Sequence, residues 1–145
     1  MQVSEIMTRG VETVAPDASL QQAAAAMEAL GVGSLPVCAG QRLVGAITDR
    51  DIVVRCVAAG LSPVDHLVRE CMTSEIAYAF ADEDAQEVLE RMKTLQIRRL
   101  AVLDRDKTLV GIVALGDIAT EPRAAALGTV GAAVAEISEP SRPKK

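Results

Sequence analysis

Apolar positions along the chain change period in a fixed order. Leu20, Ala23, Ala24, Met27 and Leu30 recur at helical spacing, which gathers them on one face of a predicted α-helix. Ser19 and Gln22 stand as the S-x-x-Q of a capping box at its start, and Gly31 follows as its C-terminal cap. Two short apolar runs come next, Leu35 to Cys38 and Leu43 to Thr48, separated by the turn Ala39-Gly40-Gln41. Together they predict a β-hairpin. A second helix is predicted from Asp49 to Ala59, ended by Gly60.

The same order then returns. Sliding the chain against itself by 65 places lays Met7-Thr8 on Met72-Thr73, Asp17 on Asp82, Met27 on Met92, Leu30 on Leu95, Leu35 on Leu100 and Val37 on Val102. After one inserted residue the offset becomes 66, and LVGAITDRDI (Leu43 to Ile52) lies on LVGIVALGDI (Leu109 to Ile118). The second copy has its helix from Asp84, with Glu87 three residues on, through Val88, Leu89, Met92 and Leu95 to Gln96. Its hairpin runs Leu100 to Leu103, Asp104-Arg105-Asp106-Lys107, then Leu109 to Ala114. Each copy therefore reads strand, helix, two strands, helix. The fold class is α+β, two β-α-β-β-α units, and two copies are too few for a solenoid, so a pseudo-twofold pair is expected. The expected domains are a first repeat over 3–60, a connector over 61–70 with a helix start at Ser62-Pro63 and Asp65, a second repeat over 71–120, and a tail over 121–145. That tail is Ala/Gly-rich, expected to be helical in part from about Ala124 and disordered from Ser141 to Lys145.

Composition narrows the function. The chain has 145 residues, enough to bury a core without disulfide or metal staples. Its formal net charge of −5 supplies no positive field for nucleic acid or an anionic membrane. Tyr78 and Phe80 are the only aromatic residues, so no stacking platform for single strands exists. The longest mostly apolar run, Ala124 to Ala135, falls well short of the ~20 residues that span a bilayer. Neither nucleic acid nor a membrane is an expected partner. Cys38, Cys56 and Cys71 are odd in number and scattered, and the N-terminus MQVSEIMTRG carries no secretory stretch, so a reduced, cytoplasmic protein is expected. His66 and Cys71 have no metal-ligand spacing, which makes buried apolar thiols the expectation and a metal site not one. A single His and the absence of a G-x-S-x-G elbow indicate no catalytic constellation.

Thr48 and Asp51 lie three residues apart where a strand runs into a helix, which puts a hydroxyl and a carboxylate on one helix face. A carboxylate accepts two hydrogen bonds from a vicinal diol, and a hydroxyl with the N–H groups of a helix start receives a phosphate. This chemistry suits a ribose. Without any ligand, the same pair serves as an N-cap and a charge that favours the positive end of the helix. Spacing alone leaves both roles open.

The doubled pattern resembles a known family. Met-Thr ahead of the first strand, SLPVC and RLAVLD before the hairpin turn, and G-h-x-[ST]-x-x-D at the second helix resemble the cystathionine-β-synthase (CBS) domain used as a tandem pair, over roughly Val3 to Ala119. SLPVCAGQRLVGAITDRDIVVR and the AAGLSP connector are similar to stand-alone bacterial CBS pairs of the hypoxic-response type. The resemblance implies a non-catalytic regulatory module and a homodimer. AMP, ADP, ATP, NAD or S-adenosylmethionine would lie between the repeats, no cofactor would be obligatory, and a separate regulated protein would read the arrangement. It implies ribose contacts at Asp51 and Asp117, a ribose or phosphate contact at Thr48, and phosphate contacts at Arg98 and Arg99. Thr13, Val14, Ala77 and Tyr78 would line the adenine slot. Adjacent basic residues beside a strand also occur simply as solvated surface, and that role stays open for Arg98 and Arg99.

Two departures from the pattern matter. Ala114 stands where the second hydroxyl belongs, and Gly33-Ser34 stand where the first copy's basic pair belongs. Each copy is incomplete in a different way, so which cleft is competent stays open. The departures also carry the alternative of a degenerate pair, acting as a stress-related structural or protein-interaction module without nucleotide.

Overall fold

The computed structural model describes residues 1–120, and the expectations for the tail over 121–145 lie outside the described residues. A 3₁₀ turn at Val3–Glu5 precedes α1 (Leu20–Leu30), β1 (Ser34–Ala39), β2 (Arg42–Thr48) and α2 (Asp49–Ile52), which runs into a π turn at Val53–Val57. Then come α3 (Val68–Cys71), β3 (Tyr78–Phe80), α4 (Ala85–Leu95), β4 (Arg99–Leu103), β5 (Leu109–Ala114) and α5 (Leu115–Thr120). β1 and β2 form an antiparallel pair, whereas β3, β4 and β5 form a three-stranded sheet in that order.

Local chemistry places the long helices where their periodicity predicts. At the start of α1 the Ser19 hydroxyl accepts the Gln22 N–H at 3.0 Å, and the Gln22 side chain accepts the Ser19 N–H at 2.9 Å. Two of the donors a helix start leaves unpaired are satisfied in this way. α4 is capped by Asp84, whose carboxylate accepts the Gln86 N–H at 3.1 Å. Both helices end in a left-handed residue, Gly31 at φ 66° and Gln96 at φ 54°.

The chain divides into two compact units, and neither is a sequence copy taken whole. Among the described residues, one gathers Met1–Val11 with Tyr78–Asp106 and 110–120, and the other gathers Glu12–Ala77 with Lys107–Leu109. The cause is a pair of matching backbone exchanges. Thr8 and Ile112 trade hydrogen bonds of 2.8 and 3.0 Å, and Thr73 and Ala46 trade two of 2.9 Å. Met-Thr of each copy is thus held by the hairpin of the other. Glycine makes both approaches possible, because a Cβ on Gly45 would meet the Thr73 carbonyl at 2.6 Å, and one on Gly111 would meet the Thr8 carbonyl at 2.7 Å. Each unit has its own aliphatic core. Val88, Leu89, Met92, Leu100, Val102 and Val113 anchor the Arg99-containing unit; Leu20, Met27, Val37, Ile47, Cys56 and Val68 anchor the other.

Three expectations change. The first strand of the first copy is a single parallel bridge, Val14 to Val37, whereas its counterpart Tyr78–Phe80 pairs fully with Ala101–Leu103. Pro36 stands in β1 where β4 has Ala101, and a proline has no N–H for the next rung. The connector does not start a helix at Ser62-Pro63. The carbonyls of Pro63 and His66 accept the N–H groups of Gln21 and Leu20 instead, so the connector caps α1 and turns helical only at Val68. The helix expected over Asp49 to Ala59 is α-helical only to Ile52 and then widens, with the Ala58 N–H donating to the Val53 carbonyl at 2.9 Å. In the widened turn Cys56 is buried while Val53, Val54 and Val57 face outward.

Candidate functional site

In the unit that contains β4, six residues line a cleft of about 380 Å³: Thr8, Val11, Arg99, Ile112, Ala114 and Asp117. Arg99 opens β4, Ala114 closes β5, and Asp117 follows in the first turn of α5. Thr8 is fixed against Ile112 by the paired backbone bonds. The start of α5 is pinned twice, since Asp117 Oδ2 accepts the Ala114 N–H at 2.8 Å and the Leu115 N–H donates to the Arg98 carbonyl at 2.8 Å. The cleft presents a cation, a carboxylate and the apolar walls Val11 and Ile112.

In the other unit, Thr48 and Asp51 cap α2 reciprocally. The Thr48 hydroxyl accepts the Asp51 N–H and Asp51 Oδ2 accepts the Thr48 N–H, both at 3.0 Å. The Asp51 side chain is 14% exposed, with Arg55 Nε at 3.9 Å from Oδ1. Arg55 Nη1 donates to the carbonyls of Cys71 and Met72 at 3.2 and 3.3 Å. Capping and ribose recognition, the two roles the spacing left open, are not exclusive at Asp51, whose cap uses Oδ2 and not Oδ1.

The structure brings Arg99 and Asp117 together and adds Thr8, Val11 and Ile112, which sequence reasoning did not single out as site residues. A signal was present, since Met7-Thr8 opens the repeat, but the pairing that brings Thr8 to the cleft spans about a hundred residues. Arg98 is exposed beside Arg99 and gives its carbonyl to α5. Thr13 and Ala77 are exposed in the other unit, where Val14 bridges to Val37. Tyr78 sits edge-to-face on Phe80, with ring centroids 5.4 Å apart, and its carbonyl accepts from Arg91 at 2.9 Å.

Charged pairs near β3 are structural. Glu83 takes two bonds from the Arg91 guanidinium and one from the Phe80 N–H. Arg91 holds its carboxyl below the usual range, as Arg105 does for Asp82. Burial pushes the Cys38 and Cys71 thiols up. Among the described residues no group of three or more His, Cys, Asp and Glu comes together as a metal site. No helix among them is long and apolar enough to cross a membrane.

The family model described as CBS domain matches the chain twice, over residues 3–57 and 68–123. Hypoxic response protein 1 of Mycobacterium tuberculosis is 40% identical over 116 residues, which cover 79% of this chain and 80% of that protein. The crystal structure of Hypoxic Response Protein I with two coordinated zinc ions is 39% identical, with a TM-score of 0.74, covering 84% of this chain and all of that one. The CBS domain pair of protein MJ0100, solved in complex with 5′-methylthioadenosine and S-adenosyl-L-methionine, is 28% identical with a TM-score of 0.67, covering 82% of this chain and 93% of that one.

Proposed function

The chain belongs to the CBS domain family, and from that premise we propose that it is a regulatory module without catalysis that binds an adenine nucleotide through Arg99 and Asp117. The observation that carries the proposal is a guanidinium and a carboxylate in one cleft of about 380 Å³, inside the ~300–1,000 Å³ range of ligand sites. A 5′-phosphate suits Arg99 through charge-assisted hydrogen bonds. Ribose hydroxyls suit the Asp117 carboxylate as hydrogen-bond donors to an ionised acceptor, and a base suits the Val11 and Ile112 walls. The adenosine ligands named for the MJ0100 pair support this ligand class. The candidates are AMP, ADP, ATP, NAD and S-adenosylmethionine. Arg98 as a second phosphate contact, Thr48 and Asp51 as ribose contacts, and Thr13, Val14, Ala77 and Tyr78 as adenine contacts belong to the same proposal on the strength of the family resemblance.

A ligand regulates only by its differential affinity for two states. The proposal therefore includes a cytoplasmic homodimer whose arrangement the ligand biases and another protein reads. Exposed Leu30, Val53, Val54 and Val57 support a surface that a second chain covers.

Thermal unfolding of the full chain against the five candidates tests the reading, with Arg99→Ala and Asp117→Asn alongside. Asparagine keeps an acceptor for the cap while removing the charge. A ligand present at 100 times its dissociation constant adds about 2.7 kcal/mol, and both variants reduce that gain. If no candidate at millimolar concentration moves the transition, the nucleotide reading is wrong. The exposed valines would then favour the second reading, a protein-interaction module without nucleotide.

A further inference from the structure

We propose that Met7 and Met72 are a matched pair of sites for reversible thioether oxidation by a peroxide, and that the sulfoxide at Met7 weakens the ligand cleft beside it. The second part rests on the nucleotide-binding reading above; the first stands on how the two side chains are packed. Each methionine lies where the Met-Thr of one copy is held by the hairpin of the other. Met7 Sδ is 2.7 Å from where a Cβ on Gly111 would stand, and Met72 Sδ is 3.2 Å from where one on Gly45 would stand. Each thioether thus packs directly on a glycine. Both side chains are half-buried, each packed against the aliphatic core of its own unit. The threonine that follows makes the backbone exchange, Thr8 with Ile112 at 2.8 and 3.0 Å and Thr73 with Ala46 at 2.9 Å both ways.

The other sulfur atoms are less open to an oxidant. Met27, Met92 and all three cysteines are buried. Burial pushes the Cys38 and Cys71 thiols up, whereas a cysteine reacts as its thiolate. A thioether needs no deprotonation. Met1 is also half-buried, but its backbone is tied to Asp84 and Ala85 rather than to an exchange point. In the oxidation a sulfur lone pair attacks one oxygen of hydrogen peroxide, and the S–O bond forms as the O–O bond breaks. The departing hydroxide takes the proton of the transferred oxygen and leaves as water, so sulfur is oxidised and the peroxide reduced. The sulfoxide is larger and polar. Beside Met7 the N–H groups of Thr8 and Ile112 are already bonded to each other's carbonyls, so the new oxygen must break that exchange or carry the side chain off Gly111 into water. Either movement displaces Thr8, which lines the cleft with Arg99 and Asp117. The sulfoxide at Met72 acts in the same way on the Thr73–Ala46 exchange of the other unit.

Treatment of the full chain with hydrogen peroxide, followed by peptide mapping, thermal melts and AMP titration, tests this. Oxygen is expected on Met7 and Met72 ahead of Met27 and Met92. The oxidised chain melts at least about 3 °C lower and binds AMP at least about fivefold more weakly, and methionine sulfoxide reductase restores both. Leucine is close to methionine in volume and keeps the packing. Met7→Leu therefore abolishes the loss of AMP affinity, Met72→Leu keeps it, and the double variant melts alike before and after peroxide although Met1 is still oxidised. Oxidation of Met27 or Met92 as early as Met7 and Met72, or an unchanged melt with both sulfoxides in place, overturns the first part. A loss of AMP affinity that persists in Met7→Leu overturns the second. If the untreated chain binds none of the five candidates, the nucleotide reading fails instead, and the mapping and melts still decide the first part.

Discussion

Thr48 and Asp51 hold each other's backbone N–H across the first turn of α2, at 3.0 Å in each direction. Asp117 has half of that arrangement: it accepts the Ala114 N–H at 2.8 Å, but Ala114 has no hydroxyl with which to answer. The two copies therefore contain an internal mutant of the same cap.

Completing the second cap stabilises the protein. Ala114→Thr installs the hydroxyl that Thr48 already carries at the equivalent place, and a side-chain N-cap is worth about 1 kcal/mol over alanine. Thr48→Ala loses about as much. Urea denaturation of the two variants reads both changes, and equal stability of Ala114→Thr and wild type would show that α5 draws nothing from a complete cap.

The C-terminal ends of α1 and α4 give a second matched pair. Gly31 adopts φ 66°, ψ 36°, and Gln96 adopts φ 54°, ψ 45°. A side chain pays for the left-handed region where glycine does not. Gln96→Gly is therefore expected to gain about 1 kcal/mol, and Gly31→Gln to lose about 1 kcal/mol. No heavy atom lies within 4 Å of a Cβ built on Gly31, so the loss measures backbone conformation alone. Thermal melts of the two variants should move in opposite directions.

What was legible in the sequence was local or repeated. Ser19 with Gln22, the apolar stripe through Met27 and its echo through Met92, and the two hairpins each rest on a few adjacent residues. Long-range partners were not legible. Nothing near Thr8 announces Ile112, and nothing in Ser62-Pro63-Val64-Asp65 announces that α1 will take the connector's carbonyls. Pro36 was visible, but its effect depends on which strand lies beside it. At the candidate site, Arg99 and Asp117 were singled out through the family resemblance, and the repeat sets them against Ser34 and Asp51, whereas Thr8 needed the folded pairing.

Close packing at the two exchange points predicts intolerance of a single methyl. A Cβ on Gly45 would stand 2.6 Å from the Thr73 carbonyl, and one on Gly111 2.7 Å from both the Thr8 carbonyl and Met7 Sδ. Backbone must yield at Gly45, so Gly45→Ala and Gly111→Ala are each expected to cost about 1–3 kcal/mol. Gly116 in α5 is the control: nothing lies within 4 Å of its Cβ position, and Gly116→Ala is expected to be neutral or stabilising. Urea midpoints for the three variants give the comparison. A mild effect at Gly45 together with a large one at Gly116 would contradict this account of the exchange.

Acid sensitivity should concentrate at Glu83. Arg91, then the Phe80 N–H, hold its folded pKa below the ordinary 4.5. The sign follows from proton binding: the unfolded chain takes up a proton at Glu83 at higher pH than the folded chain does. The stabilisation is therefore complete above the unfolded value, and it is lost as pH falls through the depressed folded one. Glu83 is mostly buried, with its side chain 18% exposed, so Glu83→Gln is expected to cost about 1 kcal/mol at neutral pH after allowance for solvent screening. The same substitution should flatten the loss of stability below pH ~4.5, since the group responsible has been removed. Asp82 is also held down, by Arg105, but that pair lies in solvent. Asp82→Asn should leave the acid slope nearly as steep as in wild type. Urea unfolding between neutral pH and about pH 3 for wild type and both variants separates the two carboxylates, and an acid slope that Glu83→Gln does not change would assign the effect elsewhere.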